Sequence, residues 1–127
     1  MFRANRIFRT FCCVGVLALS QPALANYECV GTVNDISVAP DGTLGIGTYT
    51  DASTPDSWIY LCNMNNAVVN SGGTSISPTV CKSWHTTLIT AQVTNRNVRI
   101  WFEDSTTCGG HTAFVMANVV FGPALEN

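Results

Sequence analysis

Residues 77–102 read SPTVCKSWHTTLITAQVTNRNVRIWF, and this stretch changes period in the middle. Ser77 is a good N-cap, and Pro78 suits the first helical position, where its missing N–H costs nothing. Val80, Cys81, Trp84, Leu88 and Ala91 recur on one helical face, with Lys82, Ser83, Thr86, Thr87 and Thr90 outside it. The pattern predicts a helix over 78–94, ending near Thr94-Asn95. Thr86, Thr87 and Thr90 in its middle lower its intrinsic propensity, so packing on a sheet must hold it. From Asn97 the period drops to two: Val98, Ile100 and Phe102 point one way, Arg99, Trp101 and Glu103 the other. A helix therefore feeds directly into a strand.

Strand signals lie on both sides. Ser57-Trp58-Ile59-Tyr60-Leu61-Cys62 is aromatic and β-branched enough for a strand, and residues 63–73 read as a polar loop with no core of its own. Further upstream, Ala39-Pro40-Asp41-Gly42 is a turn, because proline presets φ and glycine accepts a positive one. It joins a strand over 27–38 to one over 43–50 that places Leu44 and Ile46 on one face and Tyr49 on the other. Val30, Thr32, Ile36 and Val38 are expected to share one face of the first strand, with a slip of phase near Asn34-Asp35 that hints at a bulge. Residues 51–56 and 104–110 are loops, the latter bearing Cys108. Residues 112–121 are expected to form the last strand, with Ala113, Val115, Ala117, Val119 and Phe121 on one face and Gly122-Pro123 ending it. The order β-β-β-α-β-β predicts a β-rich (α+β) domain, a five-stranded OB-fold-like barrel, with an open sheet and packed helix as the competing architecture.

The N-terminus has Arg3, Arg6 and Arg9 without an acid, an uncharged run over 10–19, and Ala23-Leu24-Ala25. This is the layout of a cleaved signal peptide over 1–25, which makes the mature product secreted or periplasmic. The run is shorter than the roughly 18 apolar residues a bilayer span needs, so no membrane insertion is expected after cleavage. Residues 26–127 then form one domain, whose only cations are Lys82, Arg96 and Arg99 against eight acids. No basic patch can be built from these, which argues against nucleic acid or an anionic membrane as partner. Cys29, Cys62, Cys81 and Cys108 remain, an even set in an oxidising compartment, and form a disulfide framework with three possible pairings. They lack the close pairs of a structural zinc site.

No catalytic constellation emerges. His85 and His111 have no second ligand at helix or strand spacing, no G-x-S-x-G occurs, and Gly72-Gly73 and Gly109-Gly110 lack the Lys-Ser/Thr of a phosphate loop. Glu103-Asp104 is an acidic pair on a strand end whose neighbours point to opposite faces, so a solvated edge is the expectation. No catalytic residue, metal or cofactor is assigned, and the chain is expected not to be an enzyme. Trp58, Tyr60 and Trp101 fall in the phase opposite Ile59, Leu61, Ile100 and Phe102. If the aliphatic phase fills the core, these rings lie outside as platforms for a sugar or a protein, unless the helix or a neighbouring subunit covers them.

The run Tyr60-Leu61-Cys62, a polar loop, Val80-Cys81, residues 84–92, then Asn97-Val98-Arg99-Ile100-Trp101-Phe102 resembles the B subunits of subtilase cytotoxin and the pertussis-like toxins. The resemblance covers the middle third of the chain and is one of spacing. It implies a secreted OB-fold that forms sugar-binding pentamers, and a Cys62–Cys81 disulfide, which leaves Cys29 to Cys108. No sugar-contacting residue carries over by position. The expected function is a secreted, non-catalytic, glycan-recognising module with a cell-surface glycan as partner and a homo-oligomeric, pentameric state. The alternative is a periplasmic or secreted protein-binding, inhibitor or structural module with Trp58, Tyr60 and Trp101 as anchors. Expressed in a secreting host, the mature chain is expected to begin at Asn26, which N-terminal sequencing or intact mass checks.

Overall fold

A computed structural model describes residues 27–49, 57–70, 72–104 and 107–127; the side chains of residues 48, 49 and 57 are not described. The leader, the 51–56 loop and the expected orientation of Tyr49 thus lie outside the described residues. The elements run β1 (Tyr27–Val38), β2 (Thr43–Tyr49), β3 (Ser57–Asn63), β4 (Val68–Val69), β5 (Ser75–Ile76), α1 (Pro78–Thr94), β6 (Asn97–Phe102) and β7 (Val119–Leu125). β3-β2-β1-β6-β7 is one antiparallel sheet, and β4 with β5 forms a separate two-stranded piece. The fold is β-rich with one helix and a five-stranded antiparallel sheet.

β1 organises the sheet. Its first half, from Tyr27 to Thr32, pairs with β6, and its second half, from Thr32 onward, pairs with β2. The register slips between Val33 and Asp35, where the sequence places a bulge. The carbonyl of Asn34 in that bulge accepts from Gln92 Nε2 of α1 at 2.5 Å. The β1–β2 turn carries Gly42 at φ 91°, and the Gly42 N–H donates to the Ala39 carbonyl at 2.8 Å. A Cβ at Gly42 would also crowd the Asn65 amide, the end of an exposed side chain, so it is the positive φ that asks for glycine here.

The bulge splits the face that β1 was expected to share. Val30 and Val38 are exposed (38% and 43%), Val33 is buried, and Tyr27, Cys29 and Ile36 pack on the core. An extra residue at the bulge exchanges the two faces, so the inward phase before it is that of Cys29, which is bonded to Cys108.

α1 behaves as its caps require. The Ser77 hydroxyl accepts the Val80 N–H, and Asn95 ends the helix in the left-handed conformation (φ 51°). Cys81, Leu88 and Ala91 are buried and Trp84 is half-buried, but Val80 is 41% exposed, so the inner face is narrower than its spacing predicts. Trp84 lies on the backbone of Gly122 in β7, where any side chain would collide with the indole.

Two further expectations are corrected. Residues 63–73 are not a plain loop: Asn70 and Gly73 close a turn between β4 and β5, Ile76 is buried, and the Asn70 side chain donates to the Val119 carbonyl. The last strand starts at Val119 and runs through Gly122-Pro123 to Leu125. Proline is tolerated there because β7 is an edge strand with register slips against β6, so no ladder N–H is required of it. Ala117 and Val119 are buried, but Val115 and Phe121 are exposed (50% and 64%).

The sheet is not closed into a barrel; β3 and β7 are its edges. Residues 114–117 instead run alongside β3 in parallel, with Phe114 N–H donating to the Trp58 carbonyl (2.6 Å), Tyr60 N–H to the Val115 carbonyl (3.0 Å) and Ala117 N–H to the Tyr60 carbonyl (2.8 Å). Leu44, Ile46, Leu61, Leu88, Val98, Phe102 and Val119 form the centre of the core between sheet and helix. Two disulfides brace it, Cys62–Cys81 inside the core and Cys29–Cys108 from β1 to the loop after β6. Disulfides of this kind are at home in an oxidising compartment. No helix among the described residues is long and apolar enough to cross a membrane.

Because Cys29–Cys108 closes 79 residues, loop-closure entropy assigns it about 4.5 kcal/mol. C29A/C108A is expected to lose close to that amount in urea unfolding of the oxidised protein. A loss under about 1 kcal/mol would show that the bridge does not restrain the unfolded chain.

Candidate functional site

Trp58 and Tyr60 share the face of β3 opposite the buried Ile59 and Leu61, as their phase requires. Their cross-strand partners in β2 are Gly47 and Gly45. A Cβ at Gly45 would lie 3.1 Å from Tyr60 Cδ1, so the phenol ring covers the glycine backbone where a side chain would otherwise stand. Glycine thus leaves the rings room to lie along the sheet, and the rings shield the backbone glycine exposes.

Phe114 supplies a third ring. It stands in the segment bonded to β3, its centroid 6.3 Å from that of Tyr60 and its plane at 61°. Its φ is +60°, a costly conformation for an aromatic residue, and its side chain is left 64% exposed. Strain of this kind is maintained only where neighbouring bonds over-determine it, here the Phe114 N–H to Trp58 carbonyl bond and the flanking ones to Tyr60. Trp58, Tyr60 and Phe114, with Ser37, Ala39, Thr43 and Gly45, line a cleft of about 170 Å³. None of the lining side chains is charged.

Behind Thr43 the turn is locked by Asp41. Its carboxylate accepts the Thr43 N–H (2.9 Å) and hydroxyl (3.0 Å), and these bonds hold its pKa below the ordinary carboxylate value. Asn63 Nδ2 donates to Thr43 Oγ1 and to the Asp41 carbonyl, tying the turn to the end of β3.

Trp101 does not join the other two aromatics. It lies on β6, edge-on to Phe121 at 6.2 Å, with the Arg99 guanidinium 5.8 Å from its ring. Arg99 is paired with Glu126 (2.6 Å) and Glu28 (2.8 Å), which favour its charged form. The sheet order separates β6 from β3 by two strands, so the phase that puts these rings outside does not bring them together.

His111 is not the simple loop residue its glycine-rich neighbourhood suggests. Its side chain is 4% exposed and meets Phe102 edge-on at 4.4 Å. Tyr27 Oη donates to Asp104 Oδ1 at 2.6 Å and lies 2.9 Å from His111 Nε2. With that hydroxyl proton committed to Asp104, Nε2–H donates to Tyr27, which leaves the buried Nδ1 as a bare lone pair with no partner among the described residues. Burial pushes the His111 pKa down, against the opposing attraction of Asp104. Glu103 takes a different course, its carboxylate lying over the backbone of Gly72, so the acidic pair is split between two partners. His85 stays on α1, half-buried. Among the described residues no three His, Cys, Asp or Glu side chains are grouped to hold a metal ion.

Periodicity finds Trp58 and Tyr60 but not Phe114, whose ring is directed by a positive φ that no alternation pattern encodes. Nor does any local signal mark His111, because its partners come from β1 and from the end of β6.

A histidine whose pKa is lowered in the folded state contributes stability above its unfolded value of 6.5 and loses it as pH falls through the folded value. Between pH 7 and 5 the unfolding free energy is expected to fall by no more than about 1.4 kcal/mol per pH unit from this one proton. H111F should flatten that slope in urea titrations; an unaltered slope would assign the effect to other groups. In comparison with known proteins, no family model matches the chain, and no curated protein and no solved structure matches it significantly.

Proposed function

We propose that the mature chain is a secreted, non-catalytic binding module that recognises a glycan in the cleft formed by Trp58, Tyr60 and Phe114. The observation that carries this is the meeting of three aromatic rings around an uncharged cleft, one of them held there by a strained backbone. The C–H face of a pyranose stacks on an aromatic face, and side-chain hydroxyls and backbone groups at such a rim bond its hydroxyls. Secretion fits the leader over 1–25 and the two disulfides.

The likeness to the toxin B subunits belongs with this proposal. It is supported by the strand order, by α1 lying immediately before β6, by the Cys62–Cys81 bridge and by the parallel run of residues 114–117 along β3. On this view the domain is an OB-fold whose seam is that parallel run. Assembly into a pentamer is part of the same proposal, with the exposed Phe121 and Val93 as apolar surface for neighbouring copies. A second function, docking of a protein partner, is favoured by one specific feature: Trp101 and Phe121 form an aromatic patch beside the anchored Arg99, a composition typical of interface anchors.

The oxidised mature protein is expected to bind members of a glycan array, and W58A and Y60A each to weaken that binding about tenfold or more, about 1.4 kcal/mol, with unchanged circular dichroism. W101A should leave glycan binding intact. Light scattering after size exclusion is expected to report a pentamer; a monomer that binds no glycan would remove the proposal in favour of a protein partner.

A further inference from the structure

The cleft has no charged lining, but an acid stands at its edge. Asp35 faces the same patch of β2 as Trp58: Asp35 Oδ2 and Trp58 Cε2 each lie 3.8 Å from the point that a Cβ on Gly47 would occupy. Gly47 is buried between them, so the Trp58 indole and the Asp35 carboxylate flank one another across its backbone. The bulge at Val33–Asp35 places Asp35 opposite Gly47, and the residue is exposed. No hydrogen bond or ion pair among the described residues engages its carboxylate. On the turn side, Asp41 adds a second negative charge one hydrogen bond behind the lining residue Thr43.

The cations are elsewhere. Arg99 is held between Glu126 and Glu28, Arg96 is bonded to the Glu126 carbonyl and to Asn127, and Lys82 stands on α1. None of them lines the cleft. An acidic sugar entering here would meet two carboxylates and no counter-charge, whereas a neutral one would meet an acceptor with free lone pairs.

We propose that the site selects uncharged pyranoses over sialylated or sulfated ones, and that Asp35 is the residue that decides between them. This rests on the glycan-binding proposal for the cleft and narrows it to a ligand class. A ring stacked on Trp58 presents its edge hydroxyls towards Asp35, whose two oxygens accept a pair of O–H donors in charge-assisted bonds. The same carboxylate repels an anion on the sugar, more strongly at low salt.

The test uses an array printed with matched forms of each oligosaccharide core: unmodified, capped with sialic acid, and sulfated. Wild-type oxidised protein is expected to bind unmodified cores about tenfold or more tightly than their acidic forms. D35N, nearly isosteric at the bulge, is expected to weaken binding of the unmodified cores and to shrink the preference several-fold, with unfolding midpoint unchanged. Equal or tighter binding of acidic forms by wild type would overturn the selectivity. An undiminished preference in D35N would overturn the role of Asp35. Binding to no core in any form would instead remove the glycan reading of the cleft, and the selectivity with it.

Discussion

β1 must satisfy two neighbours at once. Its twelve residues pair with β6 at one end and with β2 at the other, and Thr32 is shared by both ladders. A straight strand could not serve both while keeping one face on the core, because the twist of a long sheet would carry its side chains away from α1. The bulge at Val33–Asp35 resolves this by inserting a residue and bending the strand. Gln92 of α1 then satisfies the carbonyl exposed at Asn34, so helix position and strand bend are fixed by one bond. The register of β2 after the bend, and with it the place of Gly45 in the cleft, follows from that slip.

The two disulfides act at different levels. Cys62–Cys81 joins the end of β3 to the first turn of α1 inside the core, where both half-cystines are fully buried. Cys29–Cys108 joins the start of β1 to the loop from which His111 and Phe114 descend. His111, wedged against Phe102 and Tyr27, holds that loop from the inside, and the bonds of residues 114–117 to β3 hold it from the far end. The strained Phe114 lies between these anchors, which is why its conformation can persist.

One wall of the cleft, at Phe114, is therefore made by a segment that belongs to no strand of the sheet. Residues 112–119 form a single run of alternating character in sequence, yet they serve two neighbours: the earlier part lies beside β3 and the later part enters β7 beside β6. The alternation is real, since Ala117 and Val119 are buried, but the point where the chain passes from one neighbour to the other is not written in it. The same limit explains β4 and β5, each two residues long and too short to show a period.

The features written into the chain directly are local. Ser77 with Pro78 and Asn95 bound α1, Pro40 to Gly42 make the first turn, and the alternation of Val98, Ile100 and Phe102 makes β6, because caps, turns and strand phase depend on a few adjacent residues. The outward phase of Trp58 and Tyr60 was legible for the same reason. Which face of β1 is inward, the two strands between Trp101 and the cleft, and the place of Phe114 in its lining follow only from the packed chain. Those outcomes depend on register, on a bulge and on a bridge closing 79 residues, and these are settled by contacts between segments far apart in the chain.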